Sequence, residues 1–389
     1  MSPSPTTGFS YVPLEDNLSF SAACDFNRQH NAEHTCYVYA EPDGTVREIT
    51  YLEFGRAVHR AAHILRPSRQ GEDNATVAII ANSDTLLYNA VTVGLIKAGL
   101  VPFPISPRLS AAAVANLLRT SHCHRLVATQ QTLPILMRET KVELGDEYDL
   151  TIEEMPALDL LYPYLAHEKA TDAFEPYPEP EVPQKVEDME IYLHSSGSTG
   201  FPKAIGHTHA SIAGWSRLAM VRDGRRLKKR LRLATHMLPA FHTIGICVHL
   251  MTPMHSGSEV ALYPPLVKTP TDVPPPPTPD SQLEGAQACG CTGLISVPAY
   301  IHQWAESPSA VEYLKTLQVL MYGGGPVSDG IGDNLSAAGV KLRSVYGATE
   351  FGAPTHIFPT HDEDWKEWCW SEFDREACLV WEDQGDGTE

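Results

Sequence analysis

The reading of this chain turns on Tyr192-Leu-His-Ser-Ser-Gly-Ser-Thr-Gly-Phe-Pro-Lys203. An apolar lead-in runs into small, hydroxylated and glycine residues and closes on Pro-Lys. Glycines let backbone approach a ligand closely, and peptide N–H groups with the Ser195, Ser196, Ser198 and Thr199 hydroxyls can donate to phosphate oxygens. Gly197 and Gly200 are the glycines of this run, and Lys203 can add a point charge; by composition alone such a Ser/Gly run is more often a flexible turn, but the full twelve-residue string is far more specific. The spacing is not the usual nucleotide loop G-x-x-x-x-G-K-[ST], because Lys203 follows a proline and precedes an alanine. A different phosphate grip is implied.

Working outward, strand and helix signals alternate. Residues 49–66 put Leu52, Val58, Ala62 and Leu65 on one helical stripe, with Thr50 as N-cap. A β-branched run at 76–81 predicts a buried strand, and residues 85–99 a helix ending at Gly99. A helix over 110–120 and a strand at 126–128 complete a first α/β layer structure. Downstream, the spacing predicts a helix after Thr208, a strand over 233–238, an apolar helix over 243–252 and two strand-then-turn units at 317–325 and 340–350.

Proline is over-used, 31 of 389 residues or about 8% against a usual ~5%, so long loops are expected. Two stretches stand out: the Pro/Glu-rich residues 171–190, expected as an extended surface connector, and the proline-rich insert 263–281, expected as a surface loop. With 43% hydrophobic and 20% charged residues, the composition excludes wholesale disorder, collagen and coiled coil. The net charge of −19 disfavours nucleic acid or an anionic membrane as partner. Residues 222–232 hold seven Lys or Arg but no aromatic on which a base could stack, which favours a solvated helix face or loop over nucleic-acid binding. Eight scattered cysteines form neither a zinc spacing nor a disulfide framework. No signal-peptide layout and no run of 18 apolar residues occurs, so the expectation is a cytoplasmic protein without a membrane partner.

The twelve-residue string resembles the phosphate-binding motif of the adenylate-forming (AMP-binding) superfamily. Further stretches resemble that family's motifs in its order: Thr50-Tyr-Leu-Glu-Phe54, Leu95-Ile-Lys-Ala-Gly99 with Pro102, Pro239-Ala-Phe-His242 with Gly245, Tyr322-Gly-Gly-Gly325, and Tyr346-Gly-Ala-Thr-Glu350. His194, the Phe-His-Thr-Ile-Gly lettering and the ending Gln384-Gly-Asp-Gly-Thr388 look most like fungal nonribosomal-peptide-synthetase-like proteins of the carboxylic acid reductase type.

The resemblance implies a multi-lobed α/β fold of layered sheets flanked by helices. The implied layout is an N-terminal tail (1–20), a first α/β lobe (21–170), a connector (171–190), a second lobe carrying the phosphate loop and ATP motifs (191–361) and an acidic tail (362–389). The family's ribose aspartate, lid lysine, carrier serine and reductase motif find no counterpart up to Glu389, so the small lid domain is expected to be missing.

The implied reaction joins a small carboxylic acid to ATP, giving acyl-AMP and pyrophosphate. Glu350 would hold Mg2+, Thr349 the α-phosphate, and Lys203 with Ser195 to Gly200 the phosphates. Tyr346 would stack on adenine, Ser344 and Val345 line its edge, and Gly323, Gly324, Gly325 and Gly347 leave room for it. His242 would sit where the acid meets the α-phosphate, with Val297 and Pro298 walling the acyl pocket, whereas His207 and His209 are read as structural. A carrier domain is the expected partner, and phosphopantetheine and NADPH would be used only if carrier and reductase domains follow. The alternatives are a catalytically impaired remnant that binds nucleotide or acid, or an acyl-CoA ligase.

Overall fold

The structure, a computed structural model, describes residues 8–195, 200–359, 361–377 and 379–380. Its strands are β1 (Thr35–Ala40), β2 (Val46–Thr50), β3 (Thr76–Ile80), β4 (Val101–Pro104), β5 (Arg125–Ala128), β6 (Thr151–Glu154), β7 (Met189–Ser195), β8 (Lys203–Thr208), β9 (Arg232–Ala234), β10 (Glu259–Ala261), β11 (Gly293–Ser296), β12 (Val319–Tyr322) and β13 (Leu342–Ser344). Three sheets result. One has seven strands in the order β13-β12-β11-β9-β10-β1-β2, one has four in the order β4-β3-β5-β6, and β7-β8 form a hairpin. The four-stranded sheet is parallel throughout, as βαβ crossovers dictate, and the large sheet is parallel except for the antiparallel edge strand β2.

Local signals explain the elements. The Thr50 hydroxyl accepts from the Glu53 N–H and starts the helix Tyr51–Leu65, whose buried face includes Phe54, Ala57, Val58 and Ala61. The helix Thr85–Lys97 is buried on nearly every side, and the chain reverses through Gly99 at φ +77°. The Ser110 and Thr208 hydroxyls cap the helices Ala111–Thr120 and His209–Trp215. The apolar helix expected at 243–252 takes a different form: one turn at Thr243–Gly245 leads into a π-helical segment, Ile246–Ser256, with Pro253 inside it.

Tertiary structure departs from the expected lobes. From the first stretch of chain, β1 pairs with β10 and β2 with β1, and the two complete the sheet otherwise built from residues 232–344. Conversely Tyr192 and Ala204 of the β7-β8 hairpin pack on the apolar cluster of the four-stranded sheet. Of the expected N-terminal tail, residues 8–19 before the helix Phe20–His30 are docked: Val12 is 1% exposed, Phe9 packs edge-on to Tyr11 and His34, and Ser10 N–H donates to Asn31 at 2.8 Å.

The connector is likewise docked. Just before it, Arg56 and Arg60 grip the buried Glu168 carboxylate at 3.0 and 2.9 Å; within it, the Asp172 carbonyl accepts from Arg56 at 3.2 Å, Tyr177 N–H donates to His59 at 2.8 Å, and Lys97 bridges Asp25 at 2.8 Å and Glu179 at 2.6 Å. From residue 171 to 188 it has no helix or strand, but its side chains reach inward, and β7 begins at Met189. In the helix that carries these arginines, Glu53 is 1% exposed and accepts from Ala166 N–H at 2.8 Å; burial pushes its carboxyl up to about 7.

The basic stretch is not the solvated face expected of it. Arg225 donates to the carbonyls of His255 and Val12, both at 2.7 Å, and lies over the Tyr11 ring. Arg230 pairs with Glu259 at 2.9 Å and covers Phe9, and Arg232 bridges Glu259 and Glu48. Lys228 and Lys229 do face solvent. Arg226 also faces solvent, whereas Arg225, Arg230 and Arg232 turn inward because acceptors from distant segments lie there.

Candidate active site

The hairpin presents the phosphate-loop string. Ile191 and Leu193 are buried while Ser195 pairs with Lys203 across the hairpin's open end. Ser196, Gly197, Ser198 and Thr199 lie outside the described residues. Gly200 follows at φ +117° with open space where a side chain would stand, and Lys203 is exposed. At the hairpin's base the buried Glu190 accepts from Phe20 N–H at 2.6 Å and pairs with His209 at 2.9 Å, so His209 is structural as expected.

Next to this opening lies the turn Pro239–Gly245. A Cβ on Gly245 would stand 2.1 Å from the Pro239 carbonyl oxygen, so only glycine lets the turn close. The turn holds His242 at the surface, where its Nδ1 accepts from Ile244 N–H at 3.4 Å, and burial of the ring by surrounding protein lowers its pKa. Thr243 points the other way and donates its hydroxyl to Thr349 Oγ1 at 3.0 Å, a buried contact between residues 106 positions apart.

Thr349 belongs to the loop that leaves β13. Val345 N–H donates to the Tyr322 carbonyl at 2.8 Å and holds the two strand ends side by side. A Cβ on Gly323 would stand 3.0 Å from the Val345 carbonyl oxygen, and Gly324 has φ +80°, so the glycine turn lies flat beside β13. Gly325 faces Pro298, whose Cγ would be 3.9 Å from an added Cβ; this brings the Val297-Pro298 helix start to the same turn. The Ser344 hydroxyl meets that of Ser371 at 3.4 Å.

Gly347 is forced by the Gly352 carbonyl, 2.5 Å from where its Cβ would stand, and Ala348 and Gly352 exchange backbone hydrogen bonds. The loop so closed buries Thr349 and leaves Glu350 in solvent. Tyr346 is 53% exposed and stacks on Phe351 at 5.8 Å, with Phe373 edge-on at 5.6 Å.

Sequence reasoning gave His207 no part in this loop. Its ring packs on Trp215 at 4.5 Å, and Trp215 in turn fills the space beside Gly352. Burial lowers the His207 pKa, opposed by the Thr349 backbone and the Glu350 carboxylate, which favour its charged form. A histidine on β8 thus supports the loop from behind, and no local pattern announces that contact.

The arrangement brings five separate stretches to one place. It offers Ser195 and Lys203 at the hairpin's open end, the His242 imidazole, the glycine turn at residues 323–325 and the exposed Glu350 carboxylate. Among the described residues no group of three or more His, Cys, Asp or Glu could hold a metal by itself. Glu350 therefore suits an ion that takes its other ligands from substrate phosphates and water, as magnesium does. Two clefts of about 360 and 370 Å³, one beside Asp25 and Lys97 and one beside Pro107 and Leu133, are lined by none of the candidate residues. Among the described residues no helix is long and apolar enough to cross a membrane.

The model of the AMP-binding enzyme family matches residues 24–372, and the chain belongs to that family. Within it, the chain is similar to the adenylate-forming reductase Nps11 of Serpula lacrymans, 42% identical over 381 residues, 97% of this chain and 34% of Nps11. The chain thus spans about a third of the length of such relatives. Its fold is similar to that of the luciferase-like enzyme of Zophobas morio (TM-score 0.69, 18% identity, covering 94% of this chain and 82% of that one). It is also similar to the Klebsiella oxytoca NpsA N-terminal subdomain, solved in complex with 3-hydroxybenzoyl-AMSN (TM-score 0.63, 15% identity, 87% and 74%).

Proposed function

We propose that this chain activates a small carboxylic acid with ATP to an acyl-adenylate, as the adenylating part of an adenylate-forming reductase. The observation that carries the reading is the Thr243–Thr349 hydrogen bond at 3.0 Å, which ties the turn bearing His242 to the loop bearing Glu350. The 42% identity to Nps11 across 97% of the chain supports the reductase branch. Carrier and reductase steps, with phosphopantetheine and NADPH, would belong to the rest of a protein of that length.

In this reading Lys203, Ser195 to Gly200 and Thr349 hold the phosphates, and Gly323 to Gly325 with Ser344, Val345, Tyr346 and Gly347 receive the adenine. Val297, Pro298 and His242 hold the acid. Bound at Glu350, magnesium would neutralise phosphate charge. An oxygen of the substrate carboxylate forms a bond to the α-phosphorus while the bond from that phosphorus to the bridging oxygen breaks, and pyrophosphate leaves with the electron pair. No protein atom becomes covalently attached, so the chain contributes position and electrostatics. Neutral imidazoles suit this task, because an imidazolium would share its proton with the nucleophile.

The test is acid-dependent exchange of labelled pyrophosphate into ATP over a panel of aryl and alkyl carboxylic acids. Exchange with at least one acid is expected. Saturable binding of ATP without exchange for any acid would instead support the impaired, binding-only alternative, and absence of both would overturn nucleotide use altogether.

A further inference from the structure

His194 stands one residue before the phosphate loop, and its ring leaves the hairpin to meet the segment after β4. There Ser106 N–H donates to its Nε2 at 3.2 Å. A backbone amide can only donate, so Nε2 carries no proton and the neutral ring keeps its hydrogen on Nδ1. The same logic holds at His242, where Ile244 N–H occupies Nδ1 and leaves the hydrogen on Nε2. Burial first, then the charge of His242, pushes the His194 imidazole down to about 4, which keeps it neutral at physiological pH. Among the described residues neither remaining ring N–H has an acceptor.

We propose that His194 is a substrate-positioning residue, its Nδ1–H and the Nε2–H of His242 forming a two-donor clamp for the acid's carboxylate as it meets the α-phosphorus. The proposal rests on the adenylation reading and adds to it a second donor whose direction the loop after β4 fixes. Two neutral donors orient the carboxylate and leave it unprotonated and nucleophilic.

Amide substitutions separate the two ring nitrogens. Asparagine places its NH₂ near the Nδ1 position and loses the Ser106 acceptor; glutamine places its terminal amide near Nε2, keeps that acceptor and loses the donor. With benzoate, 3-hydroxybenzoate, phenylpyruvate and hexanoate as probes, the KM for the acid and for ATP would be measured separately by pyrophosphate exchange. His194→Asn should retain more of the acid affinity than His194→Gln. His194→Gln and His194→Ala should raise the acid KM by about tenfold or more, the loss of one hydrogen bond to a charged group, and leave the ATP KM nearly unchanged.

Rescue by glutamine and failure of asparagine would overturn the assignment and leave His194 a prop for Ser106. Equal effects on both KM values would do the same. Spectra of ¹⁵N-histidine-labelled wild type give a readout independent of any variant's folding: His194 should be the Nδ1–H tautomer, and an Nε2–H tautomer overturns the clamp. Wild-type protein inert with every acid would sink the adenylation reading itself, an outcome visible before any variant is compared.

Discussion

Glu53 should make this fold lose stability as pH rises, and replacing it with glutamine should remove that loss. Its carboxyl lies 1% exposed between the helix Tyr51–Leu65 and the chain around Ala166, and burial raises it from 4.5 to about 7. Because the folded pKa exceeds the unfolded one, the folded state holds a proton between about pH 5 and 7 that the unfolded chain has released. Stability therefore falls as pH rises through that window, the reverse of a salt-bridged carboxylate. At ~1.4 kcal/mol per pKa unit, ionising Glu53 costs about 3 kcal/mol at pH 8 and about 1 kcal/mol at pH 5. Glutamine retains the acceptor for Ala166 N–H and has no charge to bury. With an unfolding entropy near 2 cal/mol/K per residue, 389 residues convert the ~2 kcal/mol difference to roughly 2–3 °C. Thermal unfolding of wild type and Glu53→Gln at pH 5 and pH 8 measures it: the variant's advantage in Tm should be larger at pH 8 by that amount. Other titrating groups are common to both proteins and cancel. Equal advantages at both pH values, or a larger one at pH 5, would refute the reasoning.

Thr349→Val should cost about 1–2 kcal/mol in denaturant unfolding, since it strands the buried Thr243 hydroxyl, and should lower pyrophosphate exchange; a Thr243→Val/Thr349→Val double variant that loses the sum of the singles would show that the hydroxyls do not interact. Glu350→Gln should keep the fold, because the side chain faces solvent, and raise the magnesium needed for half-maximal ATP binding by about tenfold; an unchanged magnesium titration would remove Glu350 from the metal's surroundings. Glu168→Gln should destabilise the chain by about 3–5 kcal/mol, since Arg56 and Arg60 would lose their buried counter-charge, and should speed proteolysis within residues 171–188. Unaltered cleavage would mean that the connector is held by Tyr177 and Lys97 alone.

Much of this protein was legible in its sequence because the signals are local. A hydroxyl at Thr50, Ser110 or Thr208 caps its own helix three residues on, a β-branched run such as 76–80 makes its own strand, and glycines at 323 and 347 mark where backbone must pass close to backbone. The order of the motifs likewise pointed to the family. Tertiary structure alone decided the rest. That β1 and β2 finish a sheet begun two hundred residues later, that Tyr177 and Glu168 pin the connector, and that Arg225 and Arg230 fold onto Tyr11 and Phe9 are pairings between distant residues. The basic run looked solvated because charge without its partner reads that way, and His194 was a letter in a motif until Ser106, 88 residues earlier, fixed its proton. Hydrogen bonds and burial depend on which groups the fold brings within about 3 Å, and spacing along the chain records that distance only inside a single helix, strand or turn.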